Sequence, residues 1–300
     1  MGAMDEPRRR LRAALKRAVR TAGVATASVR PDPDFLVIGA KRGGSTSLYF
    51  DLLDHPSYVR LYPPPVPGLK DVATKGVHFF DSHHLEGMAW YRSYMPTRFT
   101  RSVNTWRHGT PSVVGEASPY YLFHPSAAQR AHEALPDVKV VALLRDPVER
   151  TYSHWKERRR AGAEELDFVA ALDAEPGRLA GERERLLADP AYRSYAWEQQ
   201  SYLTQSRYAE ALRPWLERYG RDRVLVAASE DYYADPLPVL RTIDDFLGVP
   251  PRDTSTGAVR NQAPGAPLEP EVRARLQAAF VDANRDLEEL LGQRLPWTTT

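Results

Sequence analysis

Residues 39–46 read GAKRGGST, a glycine-rich turn between the apolar run FLVIGA and the helical pattern STSLYFDLLDHP. Such a turn aims backbone N–H groups at an anion, and the dipole of the following helix adds to the field. Ser45, Thr46 and Ser47 supply hydroxyl donors beside the glycines Gly43 and Gly44. A loop of this shape built for a nucleoside triphosphate carries Lys after its second glycine and a Ser/Thr that holds Mg²⁺. Here Ser45 stands where that lysine would be, and the cations come earlier, as Lys41 and Arg42. No apolar run clearly ends in an acidic residue placed to hold the metal. A phosphotransferase acting on Mg·ATP and a glycine turn without a ligand are the two alternatives at this stretch.

A second anion site is spelled by VVALLRDPVERTYSHW, with Arg145 closing an apolar run and Ser153 eight residues on. In a parallel sheet, ligands gather outside the carboxyl ends of the strands, so Arg145 belongs on the same rim as the glycine loop. A fixed guanidinium with a hydroxyl makes a monophosphate clamp. The alternative is a surface pair of Arg145 with Asp146 or Glu149. An anion site with a cation one step earlier suits a less charged transferring group, and sulfuryl carries one negative charge where phosphoryl carries two. Its transfer can run on positioning and hydrogen-bond donors alone.

These residues need a scaffold that brings the ends of two apolar runs together. FLVIGA, VKVVALL and RVLVAAS are short, continuous and β-branched, as strands buried on both faces are. SVVGEAS gives another strand, and VHFF a short strand or strand end. Helical patterns alternate with them. The one after Arg145 has Asp146 as N-cap, Pro147 at the first position and Glu149 at the capping-box position. Residues 162–200 read as charged and mostly helical, interrupted at Pro176 and Pro190; residues 202–219 and 269–291 read as amphipathic helices. The alternation predicts an α/β fold, a P-loop-like parallel sheet flanked by helices on both faces, with helical insertions. Residues 1–30 are expected to form a basic amphipathic helix (about residues 7–21) and a linker, and residues 31–300 a single domain. That helix is expected to pack loosely on the domain or to make weak contact with a membrane surface.

Composition narrows the function classes. Of 300 residues, 42% are hydrophobic, enough for a sizeable core, and the net charge of +2 does not argue for nucleic acid. Arginine outnumbers lysine 35 to 6, which suits bidentate anion binding. The chain has no cysteine, so disulfides, thiolate catalysis and cysteine-held metals are excluded, and a reducing cytoplasm is the expected compartment. No apolar run is long enough to span a bilayer.

Together the two motifs resemble those of the sulfotransferases that use 3′-phosphoadenosine 5′-phosphosulfate (PAPS). KGVHFFD, WYRSYMP, GEASPYYL and DDFLGV resemble segments of the heparan-sulfate-type and related bacterial members, over residues 35–297. The resemblance implies a metal-independent reaction and a small-molecule or carbohydrate acceptor. It implies that Arg42 takes the place of the family's loop lysine, that Gly43, Gly44, Ser45, Thr46 and Ser47 cradle the 5′-phosphate, and that Arg145 and Ser153 hold the 3′-phosphate. Lys41 is a further cofactor contact or faces solvent. Tyr202, with Ser201 beside it, and Arg260 fall where relatives touch the cofactor. The family's glutamate before the VHFF-like segment is replaced by Gly76, which leaves the general base open. His78 is the leading candidate, with Asp81 to orient it, and Glu116 is the second, as base or orienting group. The acceptor pocket is expected from residues 61–75, 81–112 and 157–200. A cofactor-binding protein without turnover is the remaining alternative.

Overall fold

The computed structural model describes residues 5–64, 74–255 and 267–298, without the side chains of residues 5–13 and 15. Its elements run α1 (Asp5–Ala25), β1 (Phe35–Gly39), α2 (Ser45–Leu52), α3 (Gly87–Arg92), α4 (Arg98–His108), β2 (Gly115–Ala117), α5 (Ala127–Ala134) and β3 (Lys139–Leu144). They continue with α6 (Pro147–Arg160), α7 (Phe168–Leu179), α8 (Glu182–Ala188), α9 (Tyr208–Tyr219), β4 (Val224–Ala228), α10 (Ser229–Ala234), α11 (Pro236–Leu247) and α12 (Pro270–Leu291).

The four strands form one parallel sheet in the order β2-β1-β3-β4, with Phe35 opposite Gly115 and Lys139, and Val140 opposite Val224. The period-two alternation of a strand splits each apolar run between two faces. Leu36, Ile38, Val140, Ala142 and Leu144 meet Phe80, Tyr91, Leu212, Trp215 and Leu287 on one side. Phe35, Val37, Val141 and Leu143 meet Leu48, Leu52, Tyr232, Leu240 and Ile243 on the other. Helices therefore cover both faces, which is why the strands read as unbroken apolar runs. The chain leaves β1 for β2 on one side and returns to β3 on the other, so the carboxyl ends of β1 and β3 flank the switch point where such sheets bind ligands.

Several local expectations are corrected. Residues 77–80 are not a strand: His78 is left-handed (φ 53°), and Phe79–His83 form a π-helical turn. Phe79 and Phe80 both pack against the Tyr91 ring in the same cluster (centroids 4.7 and 5.3 Å apart), whereas adjacent strand residues would point to opposite faces. α7 runs through Pro176 instead of breaking there. Residues 201–207 precede α9 as a loop with a 3₁₀ turn. Asp146 does cap α6, its side chain accepting from Val148 N at 2.7 Å, but Glu149 turns to Arg145 and Arg273 instead of closing a capping box. The N-terminal helix is longer than expected, and its last turns are anchored: Arg20 donates to Ser93 Oγ at 2.7 Å and covers the Tyr94 ring. On the α11 side, Arg252 makes a bidentate pair with buried Asp244 (2.7 and 2.8 Å), which also accepts from Tyr58 Oη at 2.7 Å.

Candidate active site

The residue just beyond the carboxyl end of β3 or β4, and residues shortly beyond β1 and β2, line one cavity of about 590 Å³. After β1 come Lys41, Arg42, Gly44, Ser45 and Thr46; after β2, Pro119; after β3, Arg145; after β4, Ser229 and Glu230. Ser153, Lys156, Glu157 and Arg158 of α6, with Glu149, Lys75 and Tyr233, complete the wall. Six of these lining residues are cationic (Lys41, Arg42, Lys75, Arg145, Lys156, Arg158) and three are acidic (Glu149, Glu157, Glu230), an excess suited to a multiply charged anion.

The loop is shaped by close approach. Gly44 is left-handed (φ 96°) at the start of α2, a conformation that strains any L side chain, and a Cβ on Gly43 would lie 2.7 Å from Leu143 O. Ser229 Oγ donates to Gly43 O and ties the loop to β4. The first turn of α2 then presents the N–H groups that a helix start leaves without intrahelical partners. Among the described residues, Arg42 (φ 69°) and His78 (φ 53°) are the non-glycine residues with left-handed backbone. Such outliers persist where surrounding structure over-determines them, as it does at functional sites.

The two sequence motifs meet. Arg42 Nε donates to Ser153 Oγ at 3.2 Å, and Arg145 Nη1 reaches Arg42 O at 3.4 Å. Arg145 also pairs with Glu149 at 3.7 Å, while its carbonyl accepts from Tyr208 Oη at 2.8 Å and fixes the end of β3. Lys41 does not face solvent. It donates to Gln199 Oε1 at 2.8 Å and pairs with Glu198 at 3.5 Å. Burial, opposed by Glu198, lowers its pKa to about 8.

On the β2 side, Glu116 is fully buried and accepts from Val77 N (2.8 Å), Ser118 Oγ (2.6 Å), Tyr121 Oη (2.7 Å) and Tyr91 Oη (3.3 Å). Burial raises its pKa above the usual carboxylate value against the pull of those bonds. With no surface exposed and four donors bound, it anchors the neighbouring chain and does not reach the cavity. Ser118 Oγ in turn accepts from His78 N at 2.9 Å, and Ala117 N donates to Lys75 O at 2.7 Å. The side chains of Glu116 in β2 and of Ser118 just after it thus do for residues 77–78 what strand partners would have done.

His78 Nδ1 lies 2.8 Å from Asp81 Oδ2, and Asp81 is fully buried. That bond assigns the proton to Nδ1 and leaves Nε2 as the lone-pair nitrogen. Burial pulls the imidazole pKa down, but the hydrogen bond and charge of Asp81, with Glu116 and Glu198, outweigh it and hold the pKa above the ordinary value. His78 does not itself line the cavity; it stands between two wall segments, three residues from Lys75 and bonded to the neighbour of Pro119. Gly76 is enforced by space: a Cβ there would lie 2.3 Å from Ala117 O and 2.8 Å from Ser118 Oγ. A glutamate cannot occupy this position without moving β2 or the segment itself.

Other expected contacts fall elsewhere. Tyr202 is fully buried, its hydroxyl donating to Glu164 at 2.8 Å and its carbonyl accepting from Arg150, and Ser201 Oγ donates to Trp197 O. Both belong to the packing behind α6 and not to the cavity wall. Ser47 is buried inside α2, while Arg260 and residues 65–73 of the proline-rich loop lie outside the described residues. Lys75 enters the wall as the end of the 61–75 segment expected at the acceptor pocket, while no expectation covers Ser229, Glu230 and Tyr233. Ser229 closes the RVLVAAS run and Glu230 and Tyr233 follow it, and the rule that ligands gather beyond strand ends points to them. Lys75 has no such local signal; burial, opposed by Glu116, lowers its pKa to about 8.

Comparison with known proteins fits this geometry. A sulfotransferase of Alicyclobacillus acidocaldarius has a crystal structure that matches 90% of this chain and 100% of its own, with a TM-score of 0.62 and 28% identity. The membrane-associated sulfotransferase kil1 of Dictyostelium discoideum is 23% identical over 88% of this chain and 66% of its own length. Mouse heparan sulfate glucosamine 3-O-sulfotransferase 3B1 is 27% identical over 78% of this chain and 51% of its own. The chain therefore spans about half to two-thirds of these two curated relatives. Residues 32–263 match the model of the sulfotransferase domain, and the chain belongs to that family.

Proposed function

We propose that this chain transfers the sulfuryl group of PAPS to a hydroxyl, with an amine as the second choice, of a small metabolite, sugar or glycolipid. The observation that carries the reading is the junction of the two motifs: Arg42 on Ser153 and Arg145 on the Arg42 carbonyl, inside one cation-rich cavity. The donor set fits the cofactor at both ends. Gly44, Ser45 and Thr46 with Lys41 would hold the 5′-phosphate, and Arg145 with Ser153 the 3′-phosphate. When bound, PAPS supplies the sulfuryl group and a phosphate leaving group.

Arg42 offsets charge on the leaving oxygen as a fixed cation that cannot donate a proton. Lys75 adds a second cation at the wall nearest His78. His78 accepts the acceptor's proton at Nε2, and Asp81 holds the resulting imidazolium through Nδ1. Glu116 is a positioning residue that fixes Val77 and, through Ser118, the His78 backbone. The neutralisation that Mg²⁺ gives a phosphotransferase falls here to Lys41, Arg42, Lys75 and Arg145. A chain without cysteine suits a reducing compartment, and we assign it to the cytoplasm.

The test is a thermal shift. Adenosine 3′,5′-bisphosphate at a hundredfold its Kd should stabilise the chain by about 2.7 kcal/mol, and Mg·ATP should not. The reverse pattern would move the assignment to a phosphotransferase. Binding without sulfuryl transfer to any acceptor of a broad hydroxyl and amine panel would leave a binding protein.

A further inference from the structure

An α-helix on a protein surface normally turns its apolar stripe inward. α4 does the opposite. Its inner face is polar: Arg101 binds Asp34 (2.8 Å) and Ser112 O (2.7 Å), Asn104 donates to Pro56 O (2.9 Å), and Thr105 bonds Ser112 Oγ (2.9 Å). Phe99, Val103 and Trp106, at the i, i+4, i+7 spacing of one stripe, point outward and are 77%, 37% and 84% exposed. Arg98 and Arg107 flank that stripe on either side, both exposed, and the helix carries no acidic residue. Thr97 caps its start, accepting from Thr100 N at 3.2 Å, so the outward stripe sits on a well-formed helix.

We propose that α4 is a membrane-docking helix that seats its Phe99–Val103–Trp106 stripe in the head-group region of an anionic phospholipid surface. Aromatic side chains between arginines are the arrangement by which a helix lies in the interface plane, rings in the acyl boundary and guanidinium groups on lipid phosphates. A second copy of the chain fits less well. Two aromatic rings of about 150–250 Å² each and one valine fall short of the roughly 800 Å² per partner of a stable interface. An antiparallel pairing of α4 with itself would also set Arg98 against Arg107 of the other copy. The anchors Asp34 and Ser112 precede β1 and β2, so α4 lies at the amino-terminal edge of the sheet, opposite the rim that carries the cavity. No residue of 81–112 lines the cavity, which corrects the expectation that this segment builds the acceptor pocket, and docking through α4 leaves the cavity accessible. The basic helix α1 is a separate surface, and the test separates the two.

The experiment is co-sedimentation of the full chain with phosphatidylcholine vesicles, with and without phosphatidylserine. Wild type should partition onto the phosphatidylserine vesicles. Phe99→Ser/Trp106→Ser, with α1 intact, should bind about tenfold more weakly, and Arg98→Gln/Arg107→Gln should lose the preference for phosphatidylserine. All four positions are exposed, so Tm and activity on a soluble acceptor should match wild type. Brominated lipid should quench the Trp106 emission, read as wild type minus Trp106→Phe, a variant that keeps an aromatic ring and the fold. Absence of vesicle binding by wild type, undiminished binding by Phe99→Ser/Trp106→Ser, or unquenched Trp106 would each overturn the proposal. A dimer that the same double variant dissociates would instead give the stripe to a second copy.

Discussion

Gly76→Ala gives the sharpest view of how the site is held. The added Cβ would lie 2.3 Å from the backbone oxygen of Ala117, where ordinary contact begins at 3.4 Å, so the two segments must part by about 1.1 Å (3.4 − 2.3). Ala117 is in the sheet and Lys75 is bonded to it, so the displacement falls on the 75–78 segment, which carries Lys75 and His78. A misplacement near 1 Å at reacting groups costs about 10²-fold in rate, or about 2.7 kcal/mol of barrier. Overpacking of this kind costs a further 1–3 kcal/mol of stability, roughly. Initial rates of adenosine 3′,5′-bisphosphate release, with a melting curve on the same sample, read both. Gly76→Glu should be no more active than Gly76→Ala, because the backbone cannot admit the side chain that relatives are expected to use. A Gly76→Ala enzyme with wild-type kcat and Tm would refute the claim that close packing against β2 positions these groups.

Three further outcomes follow from the geometry. Glu116→Gln disturbs an acceptor bound to four donors; it should lower stability by about 1–3 kcal/mol, reduce kcat and, by removing a charge that raises the His78 pKa, move the acid limb of the pH profile to lower pH while keeping it, whereas loss of the general base would abolish that limb. The pH profile of kcat/KM should be a bell: His78 must be neutral, so activity falls as pH drops through a pKa above the ordinary imidazole value, and Lys41 and Lys75 must be charged, so it falls again as pH rises through about 8. A profile that stays flat through both limits would remove all three groups from the reaction. Arg252→Ala leaves Asp244 buried and unpaired and should destabilise the chain by about 3–5 kcal/mol with little change in nucleotide affinity, as measured by denaturant melts and calorimetry.

The parts of the fold legible in the sequence were those with local causes. The buried strands announce themselves as apolar runs because both faces of the sheet are covered, and α6 announces its start through Asp146 and Pro147. The illegible parts depend on partners distant in the chain. VHFF looks like a strand until Glu116 and Ser118, 39 and 40 residues beyond Val77 and His78, supply its backbone partners as side chains. Tyr202 looks like a loop contact until Glu164 claims its hydroxyl from 38 residues away. Lys75 becomes a wall residue only because β2 binds its carbonyl, and α4 is hard to read because its apolar positions face outward.

The central claim is that one nucleotide is gripped by both ends, and it is tested most directly by a cycle between Arg145 and the 3′-phosphate. Isothermal titration of wild type and Arg145→Ala with adenosine 3′,5′-bisphosphate and with adenosine 5′-monophosphate gives the four affinities. A charge-assisted bidentate contact of about 1.5–3 kcal/mol predicts that wild type prefers the bisphosphate by at least tenfold and that Arg145→Ala loses most of that preference. An unchanged preference in Arg145→Ala would contradict the account.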